Sequence, residues 1–365
     1  MSNVSYMNLG FWGKLKKPIM ALAPMADVTD AAFRRIIARC GKPNVMWTEF
    51  VSADGLIRAD KVGQEKLMKG LLYSESERPI VAQFFSAKPE MIKRAAKLAQ
   101  ELRFDGVDIN MGCPDRSVEK QGAGAALMKN PKLARELIVA TREGAPRLPI
   151  SVKTRIGYNK NEIETWIPEL LKEDLAAITV HLRTRKEMSK VPARWDLARR
   201  VVEIRDEAKS TTLVLGNGDV QDMSHARKLA HETGVDGIML GRAIFGNPFL
   251  FSNSPRIVSR LRRELWGKQE FENKNGDDFV RKKLEIMLEH TKLFEELLGG
   301  DNPIRTRGRE TCPISNGVKN FSVMKKHYKA YANGFDGAKE LRTKLMETKN
   351  AKEVENIVND FLETI

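Results

Sequence analysis

Cysteine is scarce in this sequence, with three residues, Cys40, Cys113 and Cys312, in a chain of 365. They lie far apart and match no CxxC or Cys/His spacing, which argues against a disulfide framework and against a zinc site. We therefore expect free thiols, no metal and a reducing, cytoplasmic location.

Long apolar runs are also lacking. No uninterrupted run approaches the ~20 residues that span a bilayer, so we expect a soluble globular protein. The apolar stretch 19–26 follows three lysines and imitates a signal peptide. Because Pro18 and Pro24 bracket it and it is short, it predicts a buried strand instead.

Acidic residues are fewer than basic ones. Lys and Arg number 62 against 48 Asp and Glu, which gives a formal net charge of +14. A positive field of this size attracts polyanions, so nucleic acid is a candidate partner, although net charge says nothing about the fold.

Through about residue 250, short apolar runs alternate with helical patterns, which predicts parallel strands joined by crossover helices. Eight such runs favour a closed (β/α)8 TIM barrel. The predicted strands are Ile19–Ala23, Val45–Glu49, Ile80–Phe84, Gly106–Asn110, Ile150–Lys153, Ala177–His181, Thr212–Leu215 and Gly237–Leu240.

After Pro248 the strand pattern stops and helical patterns continue alone. They cover Pro255–Trp266, Asp278–Leu298, Ser322–Ala332, Gly337–Met346 and Ala351–Leu362. We place the boundary near residue 255, which gives a barrel domain over 1–255 and a C-terminal helical domain over 256–365.

Polar residues and glycines follow the predicted strands at every end, where barrel enzymes carry their sites. Any one of them is an ordinary turn residue on its own, but their joint occurrence favours function. They are Ala23, Pro24, Met25, Glu49, Gln83, Asn110, Cys113, Lys153, Arg155, His181, Arg183, Asn217, Gly218, Asp219, Gly241 and Arg242.

Two glycine-containing loops, 215–219 and 240–242, place backbone amides beside helix N-termini, where barrels commonly hold phosphate. A phosphate-bearing cofactor and plain tight turns are both compatible with these glycines.

Cys113 lies in a loop held by Gly112 and Pro114, so we expect it to be exposed. An ordinary thiol pKa of about 8.5 keeps it mostly protonated at neutral pH, which suits a general acid at least as well as a nucleophile. Lys153 and Arg155 share one face of their strand, and two cations at a barrel mouth need anionic partners.

Seven segments of the first 250 residues resemble, in order and spacing, the tRNA-dihydrouridine synthase family. They are Ala23–Ala26 with Val28–Asp30, Thr48–Glu49, Asn110–Pro114, Ser151–Arg155, Val180–Met188, Gly216–Val220 and Gly241–Pro248. A weaker similarity to the family's helical tRNA-binding domain continues through Met324–Tyr328.

The resemblance implies an FMN enzyme, reduced by NADPH, that reduces the C5=C6 bond of tRNA uridines with Cys113 as the proton donor. Asn110, Arg155 and Arg183 would face the uracil. The implied FMN ligands are Ala23, Pro24, Met25, Gln83, Lys153, His181, Asn217, Gly218, Asp219, Gly241 and Arg242.

The sequence departs from the family pattern at three positions. Asp27 and Leu182 stand where glycine is usual or frequent, and Asp115 follows Cys-Pro where serine is common. None of these removes a catalytic group, but Asp115 could alter the loop that carries Cys113.

The helical region is basic in one place only. From residue 256 onward 22 Lys and Arg face 18 Asp and Glu, yet residues 303–330 hold seven cations against Glu310 alone, with His327, Tyr328 and Tyr331 interleaved. Cations beside aromatics suit a nucleic acid backbone with stacked bases, although such runs are more commonly solvated helix faces. The predicted tRNA contacts are Arg305, Arg307, Lys325, Lys326 and Lys329.

Two other functions remain open from the residues. One is an FMN barrel oxidoreductase acting on a small molecule, such as a dihydroorotate dehydrogenase or an ene-reductase, because a fold does not define a substrate. The other is a non-catalytic RNA-binding protein that retains a barrel. We expect a monomer.

Overall fold

The computed structural model of the protein describes residues 9–252, 274–299 and 319–365. The chain divides into two compact units, one formed by Met1–Ala26 and Pro43–Arg242 and the other by Asp27–Lys42 and Ala243–Ile365. The loop and helix after the first strand are therefore grouped with the C-terminal helices. The assignment of a catalytic and a tRNA-binding role to two domains stays a prediction.

The first unit is an eight-stranded parallel barrel, which confirms the predicted fold. Each strand pairs with its neighbour in the sequence from the second to the eighth, the eighth pairs with the first, and a bridge between Ala21 and Val45 joins the first to the start of the second. The strands are β1 (Ile19–Leu22), β2 (Met46–Ser52), β3 (Ile80–Phe85), β4 (Gly106–Asn110), β5 (Ile150–Arg155), β6 (Ala177–His181), β7 (Leu213–Asn217) and β8 (Gly237–Leu240).

The strands are buried because helices cover the barrel outside and side chains fill its inside. All six residues of β3 are buried. Trp12 and Trp47, with ring centroids 5.7 Å apart, share a core cluster with residues at the strand starts such as Ile19, Val45 and Leu213. This packing fills the N-terminal end and leaves the polar residues at the opposite end.

Helices alternate with the strands. The helix α1 (Ala31–Gly41) belongs to the second unit. The first unit contains α2 (Ala53–Arg58), α3 (Lys61–Lys69), α4 (Pro89–Glu101), α5 (Arg116–Lys120), α6 (Pro131–Gly144), α7 (Ile163–Leu171), α8 (Asp196–Glu207) and α9 (Met223–Thr233).

The second unit is helical in its described part. Besides α1 it contains α10 (Lys274–Leu297), α11 (Met324–Tyr331), α12 (Ala338–Glu347) and α13 (Ala351–Leu362). The predicted helix over 255–266 lies outside the described residues. Among the helices that are described, none combines the length and apolarity needed to cross a membrane.

Two histidines in the second unit are fully buried. The rings of His290 and His327 lie 4.6 Å apart, centroid to centroid, and stack around Phe33 of α1 at 4.9 and 4.8 Å. None of their four ring nitrogens has a hydrogen-bond partner among the described residues. Burial lowers the pKa of His290 well below its ordinary value and that of His327 to about 3, so both rings are neutral at pH 7.

This burial makes the stability of the second unit sensitive to acid. The unfolded chain takes up protons near pH 6.5 while the folded unit does not, so the stabilisation is complete above pH ~6.5 and is lost as pH falls towards the folded pKa values. We predict that the free energy of unfolding in urea falls by up to about 1.4 kcal/mol per pH unit for each histidine in this window. The double substitution His290→Phe with His327→Phe should flatten the slope.

His231→Gln, at an exposed site of α9, is the matched control and should leave the pH slope unchanged. Identical slopes in the parent protein and in the double variant would show that the two buried histidines do not cause the acid sensitivity.

Candidate active site

The polar residues predicted from strand ends meet at the C-terminal rim of the barrel. The strand register pairs Asn110 with Lys153, Arg155 with His181 and His181 with Asn217. Because parallel strands end at the same rim, these side chains come from neighbouring positions on four strands.

The loop that carries Cys113 is held by the side chain of Asn110. Its Oδ1 accepts hydrogen bonds from the backbone amides of Gly112 (3.1 Å) and Cys113 (2.9 Å). Gly124 approaches the loop with φ +60°, and a Cβ there would lie 2.8 Å from the Cys113 carbonyl oxygen. Only glycine fits that position without displacing the loop.

Cys113 is half-buried rather than exposed as its loop position predicted. Its side chain packs against the apolar cluster of Phe85, Val118 and Ala123. Burial raises the pKa of the Cys113 thiol, and the nearby positive charges of Arg155 and Lys153 offset this only in part. The thiol is therefore protonated at neutral pH, which favours a proton donor over a thiolate nucleophile.

A buried carboxylate, which the sequence analysis did not single out, lies behind this loop. Asp108 accepts from Gln83 Nε2 (2.7 Å) and from the Ser151 hydroxyl, and Gln83 Oε1 accepts from Asn110 Nδ2 (3.2 Å). Asp108 is fully buried, and burial raises its pKa to about 6. Strand alternation was the available signal, because Asp108 is two residues before Asn110 and shares its face.

Two cationic side chains flank the loop. Arg155 Nε donates to the Gly112 carbonyl (2.7 Å), and its Nη1 lies 3.2 Å from His181 Nδ1. Lys153 Nζ has no hydrogen bond or ion pair with the described residues. Burial, and then the neighbouring Arg155, lowers the pKa of Lys153 to about 8, so it remains largely charged at pH 7.

His181 is a neutral donor at the rim. Burial and the charges of Arg155 and Lys153 lower its pKa well below the ordinary value. Because a guanidinium can only donate, His181 Nδ1 must accept from Arg155, which leaves the single ring proton on Nε2.

The polar groups still available at this rim are therefore mainly donors. The Asn110 oxygen already accepts from the loop amides, and one N–H of Asn110 is still available. His181 has its Nε2–H available, and Lys153 can only donate. A ligand that fits must present acceptors and negative charge. Carbonyl acceptors are present on the dioxo-pyrimidine edge of a flavin and on uracil, and a phosphate supplies both acceptors and negative charge.

The loops after β7 and β8 are organised around Asp219. Its carboxylate accepts from the backbone amide of Ala193 (2.9 Å), from Arg242 Nη2 (2.6 Å) and from Arg183. Burial alone would raise the pKa of Asp219, but these bonds, chiefly that from Arg183, lower it. Gly218 has φ +130°, and a Cβ there would lie 2.8 Å from Ala193 Cβ, so this turn requires glycine.

Comparisons with known proteins point to one family. The dihydrouridine synthase (Dus) family profile matches residues 21–319. A probable tRNA-dihydrouridine synthase 2 from Bacillus subtilis (strain 168) is 38% identical over 97% of both chains, and a probable tRNA-dihydrouridine synthase from Staphylococcus aureus (strain COL) is 35% identical over 97% of this chain and 96% of that one.

The chain belongs to the dihydrouridine synthase family. It is accordingly a flavin-dependent oxidoreductase. The solved structure of histamine dehydrogenase from Rhizobium sp. 4-9 matches with a TM-score of 0.50 and 13% identity, over 84% of this chain and 50% of that one, which supports the fold alone.

Most of the residues that the dihydrouridine synthase resemblance singled out lie close together. Asn110 bonds to Gln83 and Arg155 bonds to His181, and both Asn110 and Arg155 contact the backbone of Gly112. A Cβ on Gly241 would lie 3.6 Å from Met25 Sδ and 3.7 Å from Ala23 Cβ. Pro24 is half-buried beside them in the sequence.

Arg183 differs from the other predicted substrate contacts. It is 2% exposed, and its guanidinium is engaged by Asp219 and by the Val191 carbonyl. This geometry suits a residue that holds the β7 loop, and its contact with uracil stays a prediction.

The predicted basic surface is only partly described, because Arg305 and Arg307 lie outside the described residues. On α11 Lys326 and Lys329 are exposed and Lys325 is half-buried. The expectation that the neighbouring aromatics stack on bases is wrong, because His327, Tyr328 and Tyr331 are fully buried. With Met324 they follow the i, i+3, i+4, i+7 spacing of an apolar helix face.

Two departures from the dihydrouridine synthase pattern have structural explanations. Asp27 has φ +54°, in the left-handed region that favours glycine and tolerates Asp, and it pairs with Lys319 (3.0 Å). Asp115 caps α5 by accepting from the Ser117 amide (2.8 Å). The helix after Cys113 therefore begins at a residue with a suitable capping side chain.

We predict that iodoacetamide alkylates Cys113 slowly at pH 7. The alkylation rate should rise with pH, and the pH at its midpoint should lie above about 8.5, the ordinary thiol pKa. Lys153→Met should move the midpoint further up, because a positive charge that stabilises the thiolate is lost. Mass spectrometry of the Cys113 peptide measures the rate.

Lys97→Met removes an equal charge from the exposed face of α4 and should leave the midpoint unchanged. A midpoint for Lys153→Met at or below that of the parent protein would contradict the assigned electrostatics.

Proposed function

We propose that the protein reduces the C5=C6 bond of uridines in tRNA to dihydrouridine, using FMN that NADPH reduces. The observation that carries the proposal is a half-buried free thiol, Cys113, in a loop held by Asn110 beside a rim whose available groups are donors and cations. Membership of the dihydrouridine synthase family favours it over a small-molecule oxidoreductase and over a non-catalytic RNA-binding protein.

The rim residues fit a flavin phosphate. The buried Lys153 ammonium and the Nε2–H of His181 can meet the acceptor edge of the ring system, and the β7 and β8 loops offer backbone amides and Arg242 to the phosphate. The proposed FMN contacts are Ala23, Pro24, Met25, Gln83, Lys153, His181, Asn217, Gly218, Asp219, Gly241 and Arg242. The bound flavin supplies the hydride chemistry.

The chain's own residues orient the uracil and deliver a proton. The remaining N–H of Asn110 and the guanidinium of Arg155 can donate to the uracil carbonyl oxygens, with Arg183 as a further predicted contact. The Cys113 thiol donates its proton to C5 as a general acid, which its raised pKa permits at neutral pH. A stacked uridine cannot enter the barrel mouth, so it must be flipped out of the RNA.

Lys325, Lys326 and Lys329 are proposed to contact the tRNA backbone, together with Arg305 and Arg307. The three lysines lie at i, i+1 and i+4 on α11 and have no ion-pair partner among the described residues. Like charges at this spacing repel each other, which an anionic partner relieves. The monomeric state and the cytoplasmic location stay predictions.

Cys113→Ala is predicted to bind FMN and remain yellow while dihydrouridine formation on tRNA falls by about 10²- to 10⁴-fold, because the general acid is lost. Mass spectrometry of nucleosides from the tRNA measures the product. Cys40→Ser, a half-buried cysteine of α1, is the control and should turn over normally. Normal turnover by Cys113→Ala would refute the role of this thiol.

Changing Lys325, Lys326 and Lys329 to Gln together is predicted to weaken tRNA binding. The slope of log affinity against log salt should fall by up to about 3, because up to three phosphate contacts are lost. Filter binding over a salt series measures both. Changing the exposed Lys339, Lys344 and Lys349 removes equal charge and should leave the slope unchanged. Equal salt slopes in both triple variants would contradict a contact between α11 and the tRNA.

A further inference from the structure

We propose that Asp108 is a positioning residue, whose buried carboxylate acts through the side-chain amides of Gln83 and Asn110 to hold the Cys113 loop in place. The inference rests on the proposed role of Cys113 and adds a fully buried residue to the groups that support its loop.

The chain of hydrogen bonds has a single direction. Asp108 Oδ2 accepts from Gln83 Nε2 (2.7 Å), Gln83 Oε1 accepts from Asn110 Nδ2 (3.2 Å), and Asn110 Oδ1 accepts from the Cys113 amide (2.9 Å). The strand register places Gln83 opposite Asp108, and Asp108 opposite Ser151, so the links run across neighbouring strands inside the barrel.

Amide side chains have nearly the same shape in both orientations, so only their partners decide which end is oxygen. An ionised carboxylate can only accept, so it draws the Nε2 of Gln83 and turns Oε1 towards Asn110. The Asn110 oxygen is then free for the loop amides. With one N–H left on each amide, the same arrangement presents donors to the ligand.

Burial strengthens the hydrogen bonds that connect Asp108 to the loop. Asp108 and Gln83 are both fully buried and Asn110 is 6% exposed, so bulk solvent has little access to the bonds between them. Ser151 satisfies the second carboxylate oxygen, and Gln83 is further held by the bond from its backbone amide to Thr48 Oγ1 (3.0 Å). Without the carboxylate, the Gln83 amide loses its acceptor and the support of Asn110 weakens.

The test compares Asp108→Leu, which removes the acceptor at similar size, with Asp108→Asn, which keeps one. In the Asn variant the side-chain oxygen can still accept from Gln83 while its Nδ2 donates to the Ser151 oxygen. We expect Asp108→Leu to lower kcat on tRNA by about 10- to 100-fold, as loop misplacement does, and to speed alkylation of Cys113. Asp108→Asn should restore both to within about threefold of the parent protein.

A double-mutant cycle with Asn110→Ala separates positioning from a general loss of stability. If Asp108 acts through Asn110, Asp108→Leu should lower kcat by no more than about twofold in the Asn110→Ala background. Losses that multiply fully in the double variant, or a parental kcat for a folded Asp108→Leu, would overturn the inference.

Asp108→Leu leaves the Ser151 hydroxyl without its acceptor, which could prevent folding. In that case the double variant Asp108→Leu with Ser151→Ala replaces it, because it removes the hydroxyl as well, and Ser151→Ala alone is the control. Parental kcat and Cys113 alkylation in that double variant would equally overturn the inference. Normal turnover by Cys113→Ala would instead refute the proposed function, so the two failures are distinguishable.

Discussion

The structure of the rim depends on the two hydrogen bonds that Asn110 Oδ1 accepts from the amides of Gly112 and Cys113. They tie a loop to the end of β4 and place a thiol where burial keeps it protonated. Gly124 and the bond from Arg155 to the Gly112 carbonyl support the same loop from two other sides. A general acid at this position needs no partner to activate it, only a fixed location and a pKa above the working pH.

Electrostatics then sets what the rim can bind. Lys153 and Arg155 share a face of β5, and their charges, together with burial, keep His181 neutral. Arg155 also fixes the tautomer of His181, because it can only donate. The outcome is a set of donors around a half-buried thiol, which suits ligands rich in acceptors and disfavours ligands that offer only donors.

In the second unit, the helix α11 has two faces of different character. On α11 one face is apolar and aromatic and packs inward, while the opposite face carries lysines with no acidic partner in the described part of the chain. The cations and the aromatics, which alternate in the sequence, therefore do not form one surface. The proposed tRNA contact of this helix can therefore use charge but not aromatic stacking, and the buried histidines pack inside the unit and make its stability sensitive to acid.

The sequence by itself determined the eight strands, their parallel order and the residues at the rim, because strand ends follow from apolar runs and the rim follows from parallel connection. It also predicted the helices 351–362 and, within a few residues, 324–331. Only the tertiary structure decided the partners and the burial of these residues. It pairs Arg183 with Asp219 and places Asp108 behind Asn110. It also turns Tyr328 and Tyr331 to the interior. These depend on neighbours far apart in the chain, and hydrogen-bond direction and burial are properties of such neighbours rather than of a residue type.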